Sequence, residues 1–281
     1  MSNNSLRRGR ADARYSESGI AAILYVIVIM LFFSAVIISI SARLDDVSHQ
    51  RILQSQQTWL QQSRQQLESW YEQNASWVDA AGNLNGSSIL SDAGIQPQWN
   101  AQLLTSGQIC QTFSQGSLCY HTFWLAIPSM SSPPPTVSGS TFTANSAQYV
   151  SVSGESIESR LYHHALRQMQ SMGTLLQSGF AASSSSGALH NDSLDWFAPS
   201  GCQNGYGDGP FACSNGGFID WNAYIQGTGL AGLSGNNPWG AAIQVNNSGG
   251  EASDTSTPFS VELQSPLPWG GYITSLVAQP L

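Results

Sequence analysis

From Ile20 to Ser41 the chain reads IAAILYVIVIMLFFSAVIISIS, with no charge and no proline. As a helix rising 1.5 Å per residue this run is about 33 Å long, enough to cross a bilayer. A cleavable secretory signal has a shorter apolar stretch followed by a small-x-small site, whereas this run continues straight into a polar stretch. There Leu53, Leu60, Leu67 and Tyr71 recur at spacings of seven and four, and Ile52, Trp59 and Trp70 widen the same stripe. The pattern predicts one helix, transmembrane over 20–41 and amphipathic over 42–81. It ends where Gly82, Asn83, Asn85 and Gly86 supply turn chemistry.

The remaining residues, 82–281, read as a globular head. Residues 82–118 show little periodicity and are expected to form irregular loops with short elements. Tyr120–Ile127 (YHTFWLAI) is rich in aromatic and β-branched residues and reads as one strand. Ser131, Ser132 and Pro133–Pro135 interrupt regular pairing, so 128–140 reads as a loop. A second helix is predicted over Ser156–Phe180, because Ile157, Leu161, Ala165, Met169, Met172, Leu176 and Phe180 follow one another at intervals of three or four. The Ser183–Ser186 run ends it, and a Gly-rich loop occupies about 199–217. Ile243 with Val245, then Phe259, Val261 and Leu263, then Tyr272–Val277 alternate as the strands of an antiparallel meander, separated by turns at Asn246–Gly250 and Pro266–Gly271. The fold class is therefore α+β, with the long N-terminal helix packed on a C-terminal antiparallel sheet.

Charge fixes the expected topology. Only 9 % of the 281 residues are charged, lysine is absent, and four of the nine arginines (Arg7, Arg8, Arg10, Arg14) precede the apolar run. Arg43 is followed by Asp45 and Asp46, so the positive-inside rule places the N-terminus in the cytoplasm and everything after Ser41 outside it. Beyond Arg14 the chain is acidic, which argues against a nucleic-acid partner. The cysteines fall as close pairs, Cys110 with Cys119 and Cys202 with Cys213, neither at the spacing of a zinc knuckle or redox motif. Local disulfides stapling two loops fit an oxidising compartment, and four buried thiols in a cytosolic protein are the alternative.

These features together resemble the type IV pilin and type II secretion pseudopilin superfamily: the basic leader, Gly19 before the apolar run, the half-membranous helix and the cysteine-bearing C-terminal part. The resemblance implies cleavage by a prepilin peptidase between Gly19 and Ile20, a leader over 1–19 and a mature chain of 262 residues. A leader of that length is similar to the type IVb branch. It also implies that Leu24, Leu53, Leu60 and Leu67 pack against neighbouring helices in a filament. Partners would be other pilin subunits, the peptidase, the inner membrane and, for a tip subunit, a surface receptor. The family usually carries glutamate at the fifth mature position where this chain has Leu24, a departure found among minor, priming members. Asn237-Pro238-Trp239-Gly240 looks like the segment that leads into the C-terminal sheet of many pseudopilins, and Pro268-Trp269-Gly270 repeats its core. Both read as turns leading into strands, with Trp capping the core.

Candidate chemistry is sparse. Gly227, Gly229 and Gly232 match G-x-G-x-x-G with Glu251 about twenty residues on, but Ser234–Pro238 follow where a helix is required. Without lysine neither a P-loop nor a Schiff-base enzyme is available. His163 and His164 are adjacent on a helix and point about 100° apart, which does not suit a shared metal. Asp208, Asp220, Glu251 and Asp254 lie in polar loops of the sort that bind calcium in some pseudopilins, but at no calcium-loop spacing. No catalytic residue, metal or cofactor is expected. The leading expectation is a structural filament subunit, minor, tip or adhesive; an uncleaved membrane-anchored periplasmic receptor or scaffold is the other, and an enzyme a distant third.

Overall fold

The computed structural model describes residues 12–113, 116–185, 194–202, 207–214, 217–230, 232–247 and 259–279. The chain divides into two compact units, one up to Trp59 and one from Leu60 onward. A single helix, α1 (Asp12–Ala80), runs through the boundary.

In the first unit α1 is helical throughout, and Ile23 to Ile40 present large apolar side chains to the surroundings. The hydroxyls of Ser34 and Ser41 donate to the carbonyls of Met30 and Ile37 one turn back. These two hydroxyls are thus satisfied within the helix.

The second unit is α+β. After α1 come α2 (Gly86–Asp92), β1 (Gln102–Thr105), the hairpin β2 (Ile109–Phe113) and β3 (Gly116–Tyr120), β4 (Thr122–Ile127), the hairpin β5 (Thr136–Ser138) and β6 (Thr141–Thr143), and β7 (Gln148–Ser153). Helix α3 (Gly154–Ser185) follows, then β8 (Ile219–Asp220), α4 (Trp221–Tyr224), β9 (Gln244–Asn246), β10 (Ser260–Pro266) and β11 (Tyr272–Ala278). Two antiparallel sheets result, in the orders β1-β4-β7 and β11-β10-β9-β8. Helix α3 packs against strands of both. All seven apolar positions predicted for its stripe are buried. At Gly173 the helix comes so near the sheet that a Cβ would lie 3.1 Å from Val277 Cγ2.

Within the second unit α1 contributes Leu60, Leu67, Tyr71, Ala75 and Val78 to the core, with Tyr71 and Trp70 against Phe123 of β4. Its helix is interrupted at Asn74 (φ −118°, ψ 17°). There the side-chain amide donates a 2.8 Å bond to the carbonyl of Trp70, competing with the backbone N–H for that acceptor. This is the usual means by which a short polar side chain bends a helix.

Several expectations need correction. Residues 82–118 are more regular than their pattern suggests, holding α2, β1, β2 and the start of β3. The segment 120–127 is two strands rather than one. At His121 the backbone N–H leaves the ladder to donate to Tyr71 Oη (3.1 Å), and the chain passes from the β2–β3 hairpin to the three-stranded sheet. The predicted loop at 128–140 contains β5 and its partner lies just beyond. Helix α3 extends two residues earlier and five later than predicted, and Ser186 lies outside the described residues. The turn at 246–250 is described only as far as Asn247, and the leader only from Asp12.

Candidate functional site

Among the described residues α1 is the only helix long and apolar enough to cross a membrane, and its apolar window is wholly unburied within the chain. Leu24 is 57 % exposed. Leu53 is half-buried, whereas Leu60 and Leu67 are buried in the core of the second unit and are therefore occupied by the head itself. Gly19 and Ile20 lie within helical backbone, because α1 begins upstream of them at Asp12.

Both disulfides form as expected. Cys110 and Cys119 face each other in register across β2 and β3, so the first bridge staples a hairpin rather than a loop. The second, Cys202–Cys213, bridges a sequence separation of 11 that includes buried Phe211.

The other residues singled out by type do not converge. His163 and His164 are both exposed on α3, Asp208 is half-buried, and Asp220 is exposed at the start of α4. Glu251 and Asp254 lie outside the described residues. No group of three potential metal ligands occurs among the described residues. Gly227, Gly229 and Gly232 all have positive φ, and the short helix α4 precedes rather than follows them. Two surface grooves have distinct chemistry. One of about 660 Å³, beside α2, is lined by Ser87, Leu90, Gln96, Gln102 and Leu103 with no charged side chain. The other, of about 520 Å³, has His164 and Arg167 of α3 on one wall and Ser234 and Asn236 on the other.

The most unusual chemistry is in the core of the second unit, where Tyr71, Asp79, His121 and Glu158 are at most 2 % exposed. Tyr71 Oη donates a 2.9 Å hydrogen bond to Asp79 Oδ1, having accepted one from His121 N–H. Trp239 Nε1–H donates to Glu158 Oε2 at 2.8 Å. His121 Nδ1 lies 3.1 Å from the carbonyl of Ser106. Asp79 Oδ2 and Glu158 Oε1 are buried and meet no hydroxyl or N–H among the described residues, and each carboxyl acts on the other's ionisation. Burial raises both above the ordinary carboxylate range, Glu158 to about 10, with Asp79 pushing Glu158 further up. Burial, then the charge of Asp79, likewise raises the Tyr71 phenol.

Sequence patterning missed this cluster, although a signal existed. Glu158 occupies the i, i+3, i+4, i+7 stripe of α3 with Leu161, Tyr162 and Ala165, and Asp79 follows Tyr71 and Ala75 on the buried stripe of α1. A carboxylate at a core position, in a chain with few charges, marks a buried polar partner.

Compared with known protein families, with curated proteins and with solved structures, the chain matches none.

Proposed function

We propose that the chain is a structural subunit of a type IV pilus or related filament, held in the bacterial inner membrane by α1 with its head in the periplasm, and later part of an extracellular filament. The observation that carries the reading is the form of α1. Its first part is an uncovered apolar surface about one bilayer long, and its last part is built into the head's core. Such a surface needs either lipid or neighbouring apolar helices around it. A filament subunit uses both in turn. Arginine upstream of the run and two close-range disulfides downstream support the same orientation, with the head in an oxidising space.

The partners of this reading are other pilin subunits and a prepilin peptidase that cuts between Gly19 and Ile20. Leu24 and the large head favour a minor, tip or adhesive role. The head's function is structural rather than enzymatic.

N-terminal sequencing, or intact mass, of the protein purified from membranes of cells that carry a prepilin peptidase tests the reading. A chain beginning at Ile20 is expected. A chain still carrying Met1 or Ser2 would remove the filament assignment in favour of an uncleaved, membrane-anchored receptor or scaffold.

A further inference from the structure

The last turn of α1 and the first turn of α3 meet through two carboxyl groups, an arrangement that needs an explanation whatever the chain's assembly. Asp79 and Glu158 are 2 % and 0 % exposed, and no cation among the described residues pairs with either. Two buried carboxylates in contact would repel each other in a medium of low dielectric, and an unpaired buried charge costs several kcal/mol. A hydrogen bond between the two oxygens without a partner can form only if one of them carries a proton.

We propose that Asp79 and Glu158 hold one proton between them, and that this proton is the clasp fastening the last turn of α1 to α3, so that the joint tightens as its surroundings acidify and slackens as they become alkaline.

With that proton in place every carboxyl oxygen has a partner. Tyr71 Oη serves Asp79 Oδ1, Trp239 Nε1 serves Glu158 Oε2, and the shared proton joins the two oxygens left over. The bonded chain then runs from His121 N–H through Tyr71, Asp79 and Glu158 to Trp239, linking the start of β4, α1, α3 and the turn before β9. The clasp has little room to rearrange. A Cβ added at Gly154, the first residue of α3, would strike Tyr71 Oη and come 2.6 Å from the carbonyl of His121.

The titratable and charged groups facing the pair are few. From α1 there is Tyr71, and from the segment before β4 the His121 imidazole, which acts electrostatically on Asp79. On the surface of the same helix–helix junction Arg160 and Glu72 pair at 3.3 Å with both side chains at least half exposed. The turn carrying Trp239 contributes an indole N–H and no charge.

The sign follows from linkage. Glu158 keeps its proton to about pH 10 in the fold, against an ordinary value of 4.5, so between those values the folded head binds a proton that the unfolded chain has released. The stabilisation is complete below the lower value and is lost as pH rises through the upper. One proton taken up on folding changes the equilibrium by up to about tenfold per pH unit in that window. The upward shift of Asp79 acts in the same direction.

This inference goes beyond the filament reading and stands on the head's geometry alone. Its test uses the full chain in lipid nanodiscs, as wild type and as Glu158→Gln. Glutamine keeps a donor for Asp79 and an acceptor for Trp239 without a titrating proton. The ratio of folding equilibrium constants, Glu158→Gln over wild type, should rise several-fold per pH unit from pH 5 to 9. Infrared spectra of wild type at pH 8 should contain a protonated-carboxyl carbonyl band that Glu158→Gln lacks. Parallel stability curves, or no such band in the wild type, would overturn the proposal; the band needs no variant to fold.

Discussion

Trp239 and Trp269 meet edge to face, with ring centroids 5.6 Å apart and planes at 84°. They belong to two turns that share the core Pro-Trp-Gly, one ahead of β9 and the other joining β10 to β11. In each turn the glycine adopts positive φ, 86° at Gly240 and 95° at Gly270, where a side chain would be strained. The indole N–H groups serve different neighbours. Trp239 donates to Glu158 of α3 and Trp269 to the carbonyl of Ser117 in β3, at 3.1 Å. The repeated turn thus ties the four-stranded sheet to both the helix and the stapled hairpin.

Trp239→Phe should therefore destabilise the head more than Trp269→Phe. The first leaves a buried carboxyl oxygen without its donor, a loss of about 1–3 kcal/mol besides the lost packing. The second frees a backbone carbonyl at a half-buried tryptophan and should cost roughly 1 kcal/mol. Urea unfolding of the two variants followed by fluorescence decides the order, and equal or reversed effects would contradict the role given to the Glu158 bond.

Both turns, the whole stripe of α3 and the alternation of β10 were legible in the sequence because each is a local pattern. Val261, Leu263 and Ser265 of β10 are buried while Glu262 and Gln264 are less so, as period two requires. The Asp79–Glu158 pair was not legible, since a periodic stripe reports which face is buried but not what lies opposite it. The break at His121 was hidden for the same reason. It depends on Tyr71, 50 residues earlier, whose hydroxyl takes the N–H that would otherwise continue the strand. In 102–120 the strands are four or five residues long and β2 is largely exposed, so little alternation is present to be read.

Gly154→Ala should lower stability by about 1–3 kcal/mol, the usual range for overpacking a filled core. The added methyl displaces the Tyr71 hydroxyl that bridges His121 and Asp79. Gly82→Ala is the control, because nothing lies within 4 Å of the Cβ it would add. Thermal unfolding of the two variants side by side should separate them clearly, and a Gly154→Ala head as stable as wild type would show that the junction has slack.

Non-reducing peptide mapping should recover Cys110 joined to Cys119 and Cys202 joined to Cys213. Replacing either pair by serines should cost roughly 2–3 kcal/mol, since each bridge closes a short loop. Pairing across the two groups, or no loss of stability in either double variant, would contradict the described fold of the head.

The filament reading makes its sharpest demand at Leu24. Under the proposed pilin-type assembly, a glutamate at that position would meet the free amine of a neighbouring subunit's first residue inside the apolar bundle. An unpaired amine there costs several kcal/mol or is driven to its neutral form. Leu24 offers no carboxylate, so a shaft built only from this chain would bear that cost at every step. A subunit at the tip docks onto none assembled before it, and there the missing contact matters least. The chain should accordingly be sub-stoichiometric and concentrated at filament tips or in priming complexes, and Leu24→Glu should increase its incorporation along the shaft. Immunogold labelling with an antibody to residues 82–281 measures both. Dense, even labelling by the unmodified protein would refute the minor role while leaving a filament role intact, and unchanged labelling by Leu24→Glu would show that the amine is neutralised by some other group.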